Sequence, residues 1–411
     1  MTSLQNSSRQ IFRDIVGRAT FAIAIFLLLA MAMAPSSQAQ TYTVLHSFTN
    51  QGDGGHPDAG VTVDAAGNLY GTAPGGGASG NGLVFRMTRH GGVWTFAPLY
   101  SFQNGGDGQA PEARVVFGPD GSLYGTTAFG GSNGGFGTVF NLRPPAHGCQ
   151  SVNCPWTETT LHTFSGGTDG AYPGQGDLVF DRAGNVYGTT QGYGSVGTVF
   201  KLTKQNGAWT ETTLYTFTHG ETPVAGVVFD SAGNLYGTTT YGGINNNGTI
   251  FELSPSGSGW TYQTLYEFQN NGDGQHPQGG VTFDAAGDLY GCTVAGAKTV
   301  YELQPSNGNW IFTSLYAFSA YSEGCNVSLT FDPAGNFYGT VAIGGTVGEG
   351  IAFKMSYSGG SWTETDLYNF GIGGKGAYPY GSVALDTFGN LYSTTNAGGE
   401  YGQGVVWQLT Q

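Results

Sequence analysis

The sequence predicts an all-β fold, a seven-bladed β-propeller built from four-stranded blades. Three observations support this prediction. A phrase of the type GVVFDSAGNLYGTT occurs seven times. Equivalent leucines are 50 residues apart at the closest, from Leu265 to Leu315, and 62 at the widest, from Leu99 to Leu161. Each repeat holds four segments with the composition of strands, and tandem four-stranded units of about this length are typical of propellers.

The first two strands of each repeat form a β-hairpin, as in Gly226–Thr239. Both runs are rich in β-branched and aromatic residues, and Gly233 supplies the positive φ that the turn needs. A Tyr marks every second strand, and in six repeats an Asp precedes it by six residues: Asp64, Asp181, Asp230, Asp284, Asp332 and Asp386. We interpret this Asp as a turn cap because a hairpin needs one in every repeat, whereas an active site needs its acid once. A catalytic role is the alternative.

The third and fourth strands read GTVFKL and WTETTLYTF in the third repeat, where Phe200 and Trp209 are nine residues apart. In the second repeat, Phe140 and Trp156 are sixteen residues apart, and the insertion carries both Cys149 and Cys154. We predict that these two cysteines bridge each other within a surface loop.

Two further cysteines lie in neighbouring repeats. Cys292 ends the second strand of the fifth repeat, and Cys325 precedes the first strand of the sixth. Both positions fall on the same face near the propeller axis. A disulfide is feasible if the Cα atoms lie within about 7 Å of each other. Two buried free thiols are the alternative.

The two ends of the repeat region complement each other. The last repeat has its first three strands and then stops, whereas residues 41–48 match a fourth strand that has no third strand before it. We therefore predict that residues 41–48 complete the C-terminal blade and close the ring, which hides the sheet edges.

Residues 1–39 have the pattern of a secretory signal peptide: a basic segment, an apolar stretch and a small-residue cleavage site. An uncleaved anchor is the alternative. The predicted domain is residues 40–411. Loss of Arg9, Arg13, Arg18 and Asp14 changes the net charge from −14 to −16, which argues against a nucleic-acid partner. We expect a monomer exported to the periplasm, the cell surface or the medium of a bacterium, without a membrane span after cleavage.

The hairpin phrase resembles the NHL-type propeller repeat. The whole unit, GNLYGTT…GG…GTVF, is more similar to the GloVer tandem repeat of secreted "choice-of-anchor" bacterial proteins. This resemblance covers residues 41–411 and implies an exported β-propeller, but no particular activity. The pattern is locally broken at residues 291–293 and 350–353.

The loops that enter the first strands are the candidate site. Four of these loops keep an Asp five residues after the aromatic residue of the LYSF phrase: Asp53, Asp107, Asp169 and Asp273. Four of the loops have an aromatic or His residue immediately before a Pro: His56, Tyr172, His276 and Tyr378. Lys375 replaces the Asp in the seventh repeat. Three interpretations stay open: turn chemistry alone, a calcium site, or a shallow site for a ligand such as a carbohydrate.

An enzyme on this scaffold needs an asymmetric group of acids and His around the axis. The residues entering the first strands are mostly small, and the seven His are scattered. Arg114 and Asp177 are interpreted as lone channel-lining side chains; a pair that forms an axial site is the alternative. The sequence therefore favours a non-enzymatic recognition or surface-scaffold protein, with a carbohydrate or another surface protein as partner and no cofactor unless calcium binds. A metal-dependent lyase or lactonase is the alternative.

Overall fold

A computed structural model describes residues 40–145, 156–192, 194, 196–218, 220–319, 321–371 and 374–410. Thr41–Thr410 form one compact unit. The described residues fold into seven four-stranded antiparallel sheets and contain no α-helix, so the predicted seven-bladed propeller is confirmed. The segment with the predicted leader, and the pair Cys149 and Cys154, lie outside the described residues.

Each of the first three blades contains four strands that are consecutive in sequence. Blade 1 contains β2 (Val61–Val63), β3 (Leu69–Ala73), β4 (Leu83–His90) and β5 (Val93–Ser101). Blade 2 contains β6 (Val116–Phe117), β7 (Leu123–Thr127), β8 (Thr138–Arg143) and β9 (Thr157–Thr163). Blade 3 contains β10 (Val179–Phe180), β11 (Val186–Thr190), β12 (Thr198–Gln205) and β13 (Ala208–Thr216).

The next three blades follow the same order. Blade 4 contains β14 (Val228–Phe229), β15 (Leu235–Thr239), β16 (Thr249–Ser256) and β17 (Gly259–Glu267). Blade 5 contains β18 (Thr282–Phe283), β19 (Leu289–Cys292), β20 (Thr299–Ser306) and β21 (Asn309–Ala317). Blade 6 contains β22 (Thr330–Phe331), β23 (Phe337–Val341), β24 (Ile351–Ser358) and β25 (Ser361–Asn369).

Blade 7 joins the two ends of the repeat region. It contains β26 (Ala384–Leu385), β27 (Leu391–Thr395), β28 (Val405–Thr410) and, as its outer strand, β1 (Thr41–Ser47). Thr41 is opposite Thr410 and Ser47 is opposite Val405, with a β-bulge between Val44 and His46. The predicted ring closure is confirmed.

The recurrent Asp caps the hairpin turn, as predicted. In blade 4, Asp230 Oδ1 accepts hydrogen bonds from the N–H of Ala232 at 2.8 Å and of Asn234 at 2.9 Å. Its Oδ2 accepts from Asn234 Nδ2 at 2.8 Å and from the Tyr236 hydroxyl at 3.2 Å. One carboxylate thus fixes both the turn and the Tyr of the second strand.

Blade 2 shows why its repeat lacks that Asp. Gly118 occupies the position, and a Cβ there would lie 2.4 Å from the Tyr124 ring. Asp120, two residues further on, takes over the capping, because it accepts from the Ser122 N–H at 3.1 Å and the Tyr124 hydroxyl at 3.2 Å. The cap has moved along the turn rather than disappeared.

Neighbouring blades meet at seams that repeat a Gly–Pro contact and a Thr hydrogen bond. Between blades 4 and 5, a Cβ on Gly248 at the start of β16 would lie 2.6 Å from Pro277 Cδ. Thr238 at the inner end of the same seam donates to the Gly279 carbonyl at 3.0 Å. The same Gly–Pro contact occurs at five other seams: Gly82–Pro111, Gly137–Pro173, Gly197–Pro223, Gly350–Pro379 and Gly404–Pro57. These Gly and Pro residues are therefore required by packing.

The seam between blades 5 and 6 is built differently. Lys298 stands where the other third strands begin with Gly, Cys325 stands at the Pro position, and Cys292 stands at the Thr position. The Cα atoms of Cys292 and Cys325 are 5.7 Å apart and their sulfur atoms are in bonding contact. This separation lies within the range that disulfides adopt.

Candidate ligand-binding site at the propeller axis

The four Asp of the GDG loops (residues 50–57, 104–111, 166–173 and 270–277) are engaged within their own loops and with the residues just before them. Asp107 accepts hydrogen bonds from the Gln103 N–H at 2.8 Å, the Gly105 N–H at 3.0 Å and the Tyr100 hydroxyl at 2.9 Å. Asp273 makes the equivalent three bonds and is almost fully buried. This is the geometry expected of turn chemistry.

The other two GDG loops use a His in place of the Tyr. Asp53 Oδ2 lies 3.1 Å from His46 Nε2, and Asp169 Oδ2 lies 3.3 Å from His162 Nε2. Burial lowers the pKa of both imidazoles, which favours their neutral form. Within the described residues no hydrogen bond links one of the four Asp to another, so the structure does not gather them into one cluster.

The four ring residues of the predicted site share an unusual backbone conformation. His56, Tyr172, His276 and Tyr378 all precede a Pro and have φ between 54° and 60°. This left-handed region is rare for such residues. Each is held by the preceding blade, since its N–H donates to a carbonyl there at 2.8 or 2.9 Å. The rings therefore stand on rigid loops around the axis.

The residue that follows each Pro points to a feature that the sequence analysis missed. Asp58, Glu112, Gln278 and Tyr380 occupy this position, and all four line a central cavity of about 720 Å³. Gln175 and Asn326 contribute from blades 3 and 6, while deeper walls are formed by apolar residues such as Val116, Val179, Val228 and Phe331. The residue at this post-proline position differs in almost every repeat, and this variation is the feature of the sequence from which the cavity lining could have been predicted.

Two neighbouring blades place carboxyl groups at this cavity. Asp58 accepts a hydrogen bond from Asn396 Nδ2 at 2.6 Å, and burial raises its pKa to about 6. Burial and the nearby Asp58 raise the pKa of Glu112 to about 7. No described residue donates a hydrogen bond to Glu112, so this carboxyl is free to receive one.

Asn396 connects the cavity to the ring residues above it. Its carbonyl oxygen lies 3.1 Å from His56 Nδ1, while its side chain donates to Asp58. His56 and Asp58 flank Pro57 in sequence. The ring on the loop and the carboxyl in the cavity are thus held by one partner.

Arg114 and Asp177 are a pair at the axis, the alternative that the sequence left open, and not the lone side chains that it favoured. They form an ion pair across the seam between blades 2 and 3: Arg114 Nε donates to Asp177 Oδ2 at 2.8 Å, and Nη2 contacts the same oxygen. The Arg114 N–H also donates to Asp177 Oδ1 at 3.1 Å. The axis therefore carries an asymmetric polar group, because blades 1 to 3 bring Asp58, Glu112 and this pair to one cavity.

The described residues include no group of three or more His, Cys, Asp or Glu placed to hold a metal ion. They also include no helix with the length and hydropathy that a membrane crossing requires. Calcium binding by the GDG loops stays one of the three open interpretations.

The seven sheets and this cavity define the class of protein: a β-propeller whose central cavity has a different polar lining from blade to blade. A family model described as the Gloeobacter/Verrucomicrobia repeat matches residues 31–154, 151–298 and 259–411, and the chain belongs to this family. The resemblance seen in the sequence is thereby confirmed. No curated protein matches the chain.

Solved structures with a similar fold include enzymes. A proposed 6-phosphogluconolactonase from Bacteroides fragilis has a TM-score of 0.52 at 17% identity, covering 82% of this chain and 88% of that one. An ulvan lyase has a TM-score of 0.50 at 9% identity, covering 86% and 94%. A gluconolactonase from Xanthomonas campestris has a TM-score of 0.46 at 13% identity, covering 92% of both. At these identities the similarity shows the fold alone.

Proposed function

We propose that this protein is exported and acts by recognition, binding a hydroxyl-rich ligand such as an oligosaccharide in the axial cavity. The observation that carries the proposal is the variation at the post-proline position. The Gly and Pro of the seams repeat because six of the seven seams pack them against each other. The residues beside them, Asp58, Glu112, Gln278 and Tyr380, line the cavity and do not repeat.

The chemistry of the lining suits hydroxyl groups. Carboxylates accept hydrogen bonds, and the amides of Gln175, Gln278 and Asn326 both donate and accept. The Oδ1 atom of Asn326 is buried and has no hydrogen-bond partner. A few convergent polar groups above apolar walls are what small-molecule sites share.

The charge of the lining favours some ligands over others. Arg114 is paired with Asp177, so Asp58 and Glu112 are not balanced by a cation. A neutral or amine-bearing ligand is therefore favoured, and an anionic one is disfavoured by repulsion. This preference matches the acidic charge of the whole chain.

The test is binding of the purified protein to an array of neutral, amine-bearing and uronic-acid oligosaccharides, compared with the variant D58N/E112Q. Asn326 and Gln278 fill the equivalent positions of blades 6 and 5, so this variant keeps residues that the fold already accepts. We expect binding to neutral or amine-bearing glycans, weakened at least tenfold in the variant. Binding that the variant leaves unchanged, preference for uronic acids, or no binding to any glycan would each contradict the proposal.

One observation favours a catalytic alternative. Glu112 has a pKa raised to about 7 in a cleft beside a second carboxyl, which suits a general acid. In that case the glycan bound on the array is also cleaved. New reducing or unsaturated chain ends after incubation, absent with E112Q, would establish an enzyme; an intact glycan supports recognition.

We also propose that the four Asp of the GDG loops serve chiefly to hold the interblade loops, with calcium as the remaining candidate ligand of these carboxylates. Titration with calcium should then give no saturable heat, either in the parent or in a variant with Asn at Asp53, Asp107, Asp169 and Asp273. Saturable calcium binding that the variant loses would establish the metal site. Light scattering checks the monomer, and sequencing the N-terminus of the exported protein checks cleavage before Gln40.

A further inference from the structure

We infer that the ligand is an extended chain, which leaves the axial cavity and lies over two aromatic platforms on the same face. This inference rests on the proposed function. The blade 2–3 platform consists of Phe129 and Tyr172, and the blade 4–5 platform consists of Tyr241 and His276. Each platform bridges a seam between two blades.

Both platforms present ring surface to solvent. Phe129 is 43% exposed and its ring centroid lies 5.4 Å from that of Tyr172. Tyr241 is 42% exposed and its centroid lies 4.9 Å from that of His276. Each exposed ring is thus supported from one side by the ring residue of the next blade.

The platforms are rigid and adjoin the cavity. Tyr172 and His276 are two of the left-handed residues whose N–H groups are held by the preceding blade. Tyr172 is three residues before Gln175, and His276 is two residues before Gln278, and both Gln residues line the cavity. A chain of sugar units can therefore run from the cavity onto either platform without leaving the surface.

The fold does not require these rings. Ala295 and Ala397 occupy the position of Phe129 and Tyr241 in blades 5 and 7, and both keep the backbone bridge to the interblade loop that Phe129 makes. Ala110 occupies the position of Tyr172 in blade 2 and has the same left-handed φ of 54°. Large aromatic surface left in water at such positions is a mark of binding.

The chemistry points to sugar rings. Aromatic side chains offer a flat apolar face with a polar edge, and large contact area at small entropic cost. A pyranose ring has apolar C–H faces and hydroxyls at its rim, so it can stack on a platform while its hydroxyls bond to neighbouring loops. If the units also carry amines, the electron-rich faces of Phe129 and Tyr241 add a cation–π attraction.

The experiment separates chain length from cavity binding. The full-length protein is titrated by calorimetry with glucosamine oligomers of one, three and six units. N-acetylglucosamine oligomers of the same lengths serve as the uncharged comparison. The platform variants are F129A/Y172A and Y241A/H276A, and the control is F388A. Phe388 is 87% exposed in the hairpin turn of blade 7, and its counterparts Ala66 and Ala232 show that alanine fits there.

In the parent and in F388A, we expect affinity to rise at least tenfold from one to six units. In each platform variant, the affinity for six units should fall at least threefold, while the affinity for one unit is unchanged. Equal affinity for all lengths, or platform variants that behave as F388A, would overturn the extended-chain inference while leaving cavity binding intact. Loss of single-unit binding in D58N/E112Q supports the cavity; absence of binding at every length in the parent overturns the proposed function itself.

Discussion

Blade 5 has a different kind of seam on each of its sides. Towards blade 4, Gly248 packs on Pro277, Thr238 donates to the Gly279 carbonyl at 3.0 Å, and the outer strands stack Tyr266 on Phe312 with centroids 4.3 Å apart. Towards blade 6, Lys298 and Cys325 stand in place of the Gly and the Pro, and Cys292 stands in place of the Thr. Tyr316 and Glu364 stand in place of the two stacked rings. The Gly–Pro packing and the aromatic stacking are both missing there, while Cys292 Sγ lies 3.6 Å from the Val327 carbonyl oxygen, in the place of the Thr contact.

The difference shows that a seam can be held either by several weak contacts or by one strong one. Where Pro is replaced by Cys325, no proline ring faces the start of the third strand. Lys298 can therefore occupy a position where Gly is otherwise required, and its Nζ donates to the Ser322 carbonyl at 2.5 Å. The contact between Cys292 and Cys325 spans the place where the Thr and Pro contacts would be.

The largest expected effect is loss of the contact between blades 5 and 6. If Cys292 and Cys325 form a disulfide, the variant C292A/C325A should lose about 3–4 kcal/mol of unfolding free energy, given their separation of 33 residues. Denaturant unfolding with and without dithiothreitol measures this. The reduced parent should resemble the variant, and a parent that reductant leaves unchanged has free thiols.

A graft sharpens the same comparison. The variant C292T/K298G/C325P gives this seam the Thr, Gly and Pro that the blade 4–5 seam uses. We expect it to regain more than half of the stability that C292A/C325A loses, and to be insensitive to reductant. A graft no more stable than the alanine variant would show that the weak contacts depend on surroundings that blade 6 lacks.

The second effect concerns the Gly–Pro contact. In G248A the new Cβ would lie 2.4 Å from the Thr239 carbonyl oxygen and 2.6 Å from Pro277 Cδ, at a φ of 96°. We expect a loss of about 2–3 kcal/mol from the clash and the strain. The control G233A has a similar φ of 94° and no atom within 4 Å of its Cβ, so it should lose only about 1 kcal/mol. Equal losses would assign the effect to φ alone.

The third effect isolates the Thr hydrogen bond. T238V removes the bond to the Gly279 carbonyl and should cost about 1 kcal/mol in denaturant unfolding. Thr126 holds the same position at the blade 2–3 seam, but its buried hydroxyl has no partner. T126V should therefore be neutral or slightly stabilising. A cost at both positions would contradict a role for the hydrogen bond.

The smallest effect depends on pH at the outer edge of the blade 5–6 seam. Burial and the nearby Asp366 raise the pKa of Glu364 to about 7. The folded state then binds the proton more tightly than the unfolded state, so the contribution of Glu364 to stability falls as pH rises from about 4.5 towards 7. Between pH 5 and pH 8, we expect the melting temperature of the parent to fall by about 1–2 °C more than that of E364Q. Identical pH profiles would exclude this carboxyl as the cause.

The local features of the fold were predictable because a single repeat contains their causes. The capping Asp and the hairpin follow from the spacing and pattern of one repeat, whereas the pairing of residues 41–48 with the last strand follows from comparing the two ends of the repeat region. The swap of Gly118 for Asp120 was not predictable, because it depends on where the Tyr124 ring lies. The sequence also placed Cys292 and Cys325 correctly in adjacent blades.

The site was less predictable for a physical reason. The cavity brings together Asp58, Glu112 and Asp177, each separated from the next by more than fifty residues of chain. Their proximity depends on the direction of the backbone after the Pro, and the left-handed conformation of the residue before the Pro sets that direction. Pre-proline residues normally avoid this region, so pattern alone argued for the wrong geometry. The sequence analysis selected the Asp of the GDG loops because they repeat, whereas the residues that line the cavity differ between repeats.

The pairing of β1 with β28 sets the order in which the molecule can be completed. Six sheets are made of strands that follow one another in the chain, so each has short-range contacts available as soon as its own segment emerges. The seventh joins Thr41 to Thr410, residues 369 positions apart. Until that join, β1 leaves its backbone groups unpaired and open to strands of other chains. We therefore expect closure to be a late step of folding, and the interval before it to be when copies of this chain are most prone to aggregate.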